Sequence, residues 1–223
     1  MTMTGWFCPM LLVIAATAAA TLFLVRGARP LARKTLRLAG LALPLVVFPL
    51  WGPGAYRACN FAAAGALALL EAARLRGGGG GALLVRLSWP IAKEGEEKGF
   101  SGLSTYFWGA ALASLAPVGI GPAVTVMANL GDPWASMAGS AWGGSRSRLG
   151  KTRAGTVACL AASLSAGLSF AAAFPGAGVT FFQATLAAAA MTAAERYSPG
   201  EYDNLLVQAA GAVTMVLSAR SLG

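Results

Sequence analysis

The sequence contains no histidine among its 223 residues. Catalytic triads with a histidine base and metal sites built on imidazole are therefore excluded. The three cysteines, Cys8, Cys59 and Cys159, lie far apart in the chain, and an odd number of cysteines provides no disulfide framework. We interpret them as small apolar residues within helices.

Charged residues are also scarce. They make up 11% of the sequence against 57% hydrophobic residues, whereas a typical soluble domain is about 25% charged. This amount of uninterrupted apolar sequence indicates an integral membrane protein. Because a helix needs roughly 17–25 residues to cross the hydrocarbon, we interpret residues 1–223 as a single transmembrane domain of several spans.

Apolar runs separated by glycine, proline or charged residues predict an all-α polytopic fold with about eight transmembrane helices, roughly seven to nine being compatible with the runs. The predicted spans are residues 6–25, 38–50, 57–72, 101–116, 118–131, 155–174, 178–194 and 204–219. If the N-terminus is outside, all basic residues except Arg57 and Arg220 fall on the cytoplasmic side, with all eight acidic residues. Such a bias favours this topology and gathers the ionisable groups on one face.

The net charge of +9 does not by itself predict nucleic-acid binding. The basic residues lie in loops between apolar runs, where they set topology, and they lack the interleaved aromatic residues of a nucleic-acid platform. Residues 74–100 are predicted to be a cytoplasmic loop. Its glycine run, Gly77 to Gly81, lacks the Gly-Lys-Ser/Thr ending of a phosphate loop and is interpreted as a flexible connection.

Residues 131–155 are predicted to form a nucleotide-binding loop. Asp132 ends an apolar span, where a carboxylate is costly unless it is paired or binds a cation. Small residues follow, and the segment closes with four basic residues: Arg146, Arg148, Lys151 and Arg153. An acid for a metal, accessible backbone amides and a basic cluster are the parts that hold a nucleotide's phosphates. The alternative is a solvated basic loop with Asp132 as a helix cap.

Two further groups of charged residues lie on the predicted cytoplasmic face. The pair Glu195-Arg196 is followed by Asp203-Asn204, which opens the last span and could equally cap a helix. The other group joins Arg33-Lys34 with Glu71 and Arg74, residues that could equally set topology or extend to the membrane surface.

Several of these segments resemble the CTP-dependent lipid kinases, a group that includes dolichol kinase, phytol kinase and the CTP-dependent diacylglycerol kinase. The segments that carry the resemblance are Gly131-Asp132-Pro-Trp-Ala-Ser136, Gly139, Gly143, Lys151-Thr-Arg-Ala-Gly-Thr156, Asp203-Asn204-Leu-Leu-Val207, Arg33-Lys34 and Glu71-x-x-Arg74. They follow the family's order over roughly residues 30 to 216 of this chain.

The resemblance implies transfer of the γ-phosphoryl group of CTP to a lipid alcohol such as a polyprenol, phytol or diacylglycerol. It implies catalytic roles for Asp132, Lys151 and Asp203, with Mg²⁺ held by Asp132 and Asp203. The nucleotide-binding residues that it implies are Arg33, Lys34, Gly131, Ser136, Gly139, Gly143, Arg146, Thr152, Gly155 and Asn204. The lipid would enter sideways from the bilayer, with its hydroxyl at the polar face.

Other functions remain open on the sequence. A cytidylyltransferase that makes a CDP-lipid from CTP and phosphatidic acid would use the same nucleotide, Mg²⁺ and a membrane-embedded acidic site. It releases pyrophosphate, whereas a kinase releases CDP. A small transporter would carry intramembrane charges and a repeated pattern, neither of which is evident. A non-catalytic membrane scaffold would tolerate loss of Asp132.

Overall fold

A computed structural model describes residues 40–76, 99–144, 146–147, 149–200 and 202–221. The predictions for Arg33, Lys34 and Arg148, for the span 6–25 and for residues 77–98 lie outside these ranges. The described residues are helical apart from their connections and one isolated bridge between Arg146 and Thr152. The all-α fold class is thus confirmed for this part of the chain.

The described residues contain a π-helix, a 3-10 turn and six α-helices. The π-helix Leu43–Val47 leads directly into α1, Phe48–Leu75. The other elements are α2 (Gly102–Ala113), α3 (Ile120–Ala141), α4 (Arg153–Ala173), the 3-10 turn Pro175–Ala177, α5 (Phe181–Tyr197) and α6 (Asp203–Ser221). The chain divides into two compact units, with the boundary after Trp108.

Two described stretches, Leu43–Leu75 and Arg153–Ala173, are long and apolar enough to cross a membrane by length and composition. The 21 residues of α4 extend for about 30 Å, the thickness of the hydrocarbon core. The structure therefore supports membrane association through these two stretches.

The first long stretch is interrupted at Gly52. This residue has φ 80° and ψ −179°, a conformation essentially restricted to glycine, and Pro53 follows it. A proline at this point also removes one backbone donor from the helix. The predicted break at Trp51-Gly-Pro-Gly54 is therefore confirmed.

In the first unit, Glu71 ties the end of α1 to the start of α2. Its carboxylate accepts hydrogen bonds from the Ser101 amide at 2.9 Å and the Ser104 hydroxyl at 2.8 Å. Arg74 forms an ion pair with the other carboxylate oxygen at 2.6 Å and donates to the Gly99 carbonyl. These partners compensate the buried carboxylate of Glu71 for its lost hydration, and its negative charge stabilises the N-terminus of α2. The predicted pair Glu71 and Arg74 therefore has a structural role.

The second unit contains α3 to α6, joined by short connections that reverse the chain direction. The connections 142–152 and 198–202 lie at one end, and the turn 174–180 lies at the other, because consecutive helices run antiparallel. Gln208 of α6 is buried and accepts a hydrogen bond from Thr125 of α3 at 3.3 Å. This contact fixes α6, whose first residue is Asp203, against α3.

Small residues set the distance between α3 and α4. A Cβ atom on Gly155 would lie 2.8 Å from the carbonyl oxygen of Ala135, and one on Gly139 would lie 2.8 Å from the Thr152 hydroxyl. A Cβ atom on Gly131 would lie still closer to the Ser163 hydroxyl in α4. Backbones approach this closely in membrane helices only where small residues face each other.

The α3 helix differs from its predicted extent. The apolar span was expected to end at residue 131, yet the helix continues through Asp132 and Pro133 to Ala141. The predicted boundary was set where charge first appears, but the alanine and methionine residues that follow have high helix propensity. The connection between α3 and α4 is consequently shorter, residues 142–152.

We predict that Gly155→Ala destabilises the second unit by about 1–3 kcal/mol, the usual cost of overpacking. The added methyl group would meet backbone rather than a mobile side chain, because its nearest neighbour is the Ala135 carbonyl. Thermal unfolding of the purified protein in detergent measures the loss. Ser165→Ala, on the exposed side of the same helix, is the control and should leave the midpoint unchanged; an equal shift in both variants would contradict this packing.

Candidate functional site

Three charged side chains converge at the end of the second unit that carries residues 142–152 and 198–202. The Lys151 ammonium lies 2.6 Å from a Glu195 carboxylate oxygen and 3.2 Å from an Asp203 carboxylate oxygen. The side chains are 18%, 6% and 11% exposed, respectively. We call Lys151, Glu195 and Asp203 the charged cluster.

The connection before α4 places Lys151 through a tight turn. The Ser147 amide donates to the Lys151 carbonyl at 2.8 Å, and the Lys151 amide donates to the Ser147 hydroxyl at 3.2 Å. Gly150 has φ 78°, a value that favours glycine. Thr152 then caps α4, accepting a hydrogen bond from the Gly155 amide at 3.1 Å. Lys151 is thereby fixed one residue before the cap.

The two carboxylates come from the facing ends of α5 and α6. Glu195 lies in the last turn of α5, and Asp203 is the first residue of α6. Asp203 uses one oxygen to accept from the Asn204 amide at 2.8 Å and presents the other to Lys151. The short connection 198–202 therefore brings both acids to the same ammonium.

The electrostatic environment keeps Lys151 charged. Burial by itself favours the neutral amine, but the neighbouring carboxylates of Asp203 and Glu195 outweigh it and raise the pKa of Lys151 above its ordinary value. At neutral pH the side chain is an ammonium, so it can neutralise an anion but cannot act as a general base. The cluster combines two acidic side chains with one basic side chain.

A second polar chain adjoins the cluster on α4 and α5. Arg196 donates to the Thr156 hydroxyl at 2.9 Å, and Thr156 donates to the Thr152 carbonyl at 3.0 Å. Arg196 follows Glu195 directly, so these bonds hold the end of α5 against the first turn of α4. The predicted pair Glu195-Arg196 is thus attached to the predicted segment 151–156.

The other predicted nucleotide residues fall into two groups. Gly131, Gly139, Thr152 and Gly155 lie in the contact between α3 and α4. Ser136 and Arg146 are exposed, and Gly143 has φ 47° in the connection that follows α3. Helix packing accounts for the first group without a ligand, and a nucleotide role for any of these residues stays a prediction.

Asp132 lies on α3, where it is half-buried. Gly131 beside it packs against Cys159 and Ser163 of α4. Within the ranges that the structure describes, no three His, Cys, Asp or Glu side chains are gathered to hold a metal ion. A metal ion bound near Asp132 would therefore have one or two carboxylate ligands from the described residues, and its remaining ligands would be water or substrate oxygens.

The structure thus unites Lys151 and Asp203, which the sequence had placed in separate segments, with Asn204 and Thr152 beside them. It adds Glu195, which sequence analysis noted as a charged residue but did not include in the site. The sequence feature that could have identified Glu195 is a carboxylate at the end of an apolar run, eight residues before Asp203. A charged residue at the end of an apolar stretch is a candidate functional residue.

The chain was compared with protein-family models, with curated proteins and with solved structures, and none of them matches it. The assignment of a function therefore depends on the residues and their geometry.

We predict that Lys151→Met lowers the free energy of unfolding by about 3–5 kcal/mol, because it leaves two buried carboxylates without a cation. Adding Glu195→Gln should recover part of this loss, since one uncompensated charge then disappears. Chemical or thermal unfolding in detergent measures both variants.

The control is Arg146→Met, which removes an exposed basic residue from the same connection and should change stability by less than about 1 kcal/mol. If the single and double variants at Lys151 and Glu195 lose stability additively, the two side chains are not coupled and the cluster is wrongly assigned.

Proposed function

We propose that the chain is a membrane-embedded, CTP-dependent lipid kinase, which transfers a phosphoryl group from CTP to a lipid alcohol. The observation that carries the proposal is the convergence of Lys151, Glu195 and Asp203 on one buried point. Two of these three residues belong to the segments that resemble the CTP-dependent lipid kinases. Their convergence supports the proposal, because segments that are distant in the sequence but form one site must meet in space.

Lys151 would bind the triphosphate. Its ammonium is charged, stands one residue before the N-terminal cap of α4, and has a flexible stem that can turn from the carboxylates toward a phosphate oxygen. The first amides of α4 and the exposed Arg153 add positive potential at the same place. The exposed Arg146 would join them, together with the predicted pair Arg33 and Lys34.

The residues present fit a magnesium ion. Glu195 and Asp203 offer oxygen donors that already bind one cation, the Lys151 ammonium. Magnesium at nucleotide sites is held by one or two carboxylates, with phosphate and water as its remaining ligands. Asp203 and Asp132 are the predicted ligands, and Glu195 is a third candidate. When bound, the ion would neutralise charge on the phosphate oxygens.

The reaction would join the lipid hydroxyl oxygen to the γ-phosphorus while the bond to the β–γ bridging oxygen breaks, releasing CDP. The hydroxyl proton would pass to a carboxylate or to water, since the chain has no histidine and Lys151 is already protonated. Asp132, Asp203 and Glu195 are the candidate acceptors. Positioning and charge neutralisation supply most of the rate enhancement in such transfers.

The purified protein is tested in detergent with Mg²⁺, a mixture of polyprenol, phytol and diacylglycerol, and CTP labelled on the γ-phosphate. We expect label in a lipid and release of CDP. We also expect Lys151→Ala and Asp132→Ala each to lower turnover by at least roughly a hundredfold, the usual effect of losing one group that stabilises transferred charge. Arg220→Ala, an exposed basic residue at the other end of α6, should retain full activity.

Activities are compared well below each variant's unfolding midpoint, so that loss of stability is not read as loss of catalysis. Full turnover in Asp132→Ala or Lys151→Ala would remove these residues from the site. Labelled pyrophosphate formed with phosphatidic acid would assign the chain to the cytidylyltransferases instead. No consumption of CTP would rule out both enzymes.

We further propose the predicted arrangement of about eight spans, with the charged cluster on the cytoplasmic side. In a chain whose Cys8, Cys59 and Cys159 are replaced by serine, Leu149→Cys should react with an impermeant thiol reagent only from the cytoplasmic side. Gly176→Cys, in the turn at the opposite end of α4, should react only from outside. Both positions are exposed, and reaction of both from the same side would contradict this topology.

A further inference from the structure

An apolar groove runs along the outer side of α5 and α6. Its volume is about 430 Å³, and it is largely open to the surroundings. Ala194, Tyr197 and Pro199 line it from the end of α5 and the following connection, and Leu206, Ala210 and Val213 line it from α6. The α6 positions recur every three or four residues, so they share one face of the helix.

The groove offers almost nothing to a polar ligand. Ser198 contributes the one aliphatic hydroxyl of the lining, and that hydroxyl already donates to the Ala194 carbonyl within the helix. The Tyr197 side chain is 73% exposed and therefore leaves its phenol in contact with the surroundings. A sugar or a base placed here would lose hydrogen bonds to water without replacement, whereas a hydrocarbon chain would lose none.

The groove begins beside the charged cluster on both helices. Ala194 directly precedes Glu195 in α5, and Leu206 lies one turn after Asp203 in α6. From Leu206 to Val213 the lining extends for about 10 Å along the axis of α6. The charged cluster can therefore receive the hydroxyl of a lipid alcohol while the apolar groove receives its hydrocarbon chain.

We infer that this groove binds the hydrocarbon chain of the lipid acceptor and directs its hydroxyl toward the charged cluster. The inference rests on the proposed function, because the polar end of the ligand is assigned to that site. A second copy of the chain, or bilayer lipid with no fixed position, would not need the groove to begin within one helical turn of Glu195 and Asp203. The short distance along each helix between the charged cluster and the apolar lining favours an amphiphile with a single polar end.

Direct binding is tested on the full-length protein in detergent with a geranylgeraniol analogue that carries a diazirine near the chain end. After illumination, we expect adducts on the lining of the groove, at Tyr197, Leu206 or Val213, and their loss when unlabelled geranylgeraniol is in excess. Adducts spread over all helices and insensitive to competition would show annular lipid only and overturn the inference. This measurement needs neither CTP nor turnover.

A kinetic test uses Ala210→Trp, which fills the groove beyond its first turn. We expect the KM for geranylgeraniol to rise about tenfold, the effect of excluding roughly two buried methylenes. The KM for the short alcohol prenol and the KM for CTP should stay unchanged, because neither ligand reaches this part of the groove. Ala193→Trp, at an exposed position of α5 outside the lining, is the matched control and should change none of the three constants.

The two tests separate failure of the inference from failure of the proposed function. If the wild type transfers no phosphoryl group, the proposed function is wrong, and competition in the photolabelling still decides whether the groove binds an isoprenoid chain. If the wild type is active and Ala210→Trp leaves the KM for geranylgeraniol unchanged, the acceptor chain lies elsewhere. An equal rise for prenol and geranylgeraniol would likewise contradict a role limited to the chain.

Discussion

The ion pairs of Lys151 with Glu195 and Asp203 are the contacts on which the arrangement of the second unit's polar end depends. They join the connection before α4 to the end of α5 and the start of α6. Each partner would be costly to bury alone, because an unpaired charge in an apolar interior loses its hydration without compensation. The three segments are therefore held in one relative position, and this position defines the candidate site.

Small residues make that arrangement possible. Lys151 sits beside Thr152 and Gly155, and Gly155 meets the Ala135 backbone so closely that a methyl group would not fit. A larger residue there would move the start of α4, and Lys151 with it, away from α5 and α6. Gly131, Gly139 and Gly155 thus act on the site through helix packing.

Much of this arrangement was predictable from the sequence. The helical class, the break at Gly52 and the positions of α2, α4, α5 and α6 follow from apolar runs bounded by glycine, proline and charge. The choice of Lys151 and Asp203 followed from a family resemblance and their predicted position on one membrane face. Glu195 was not selected, because its place in the cluster comes from a contact with Lys151, 44 residues away in the sequence. Local patterns carry no information on which helix ends meet.

The length of α3 was predicted wrongly for a local reason. Asp132 ended the apolar pattern, but the helix continues to Ala141.

The proposed function gives the charged cluster a role that stability alone does not require. Replacing a buried ion pair with well-packed apolar residues is often neutral or stabilising, and this chain has abundant apolar residues, with only 11% of its residues charged. Three buried ionisable groups at one point are therefore a cost that packing does not require. Under the proposed function, these ion pairs would be exchanged when ligands bind. The Lys151 ammonium would turn to a phosphate oxygen, and the carboxylates of Glu195 and Asp203 would bind another cation in its place. Under the proposed function, the same three residues would hold the three helix ends together and bind the nucleotide with its cation.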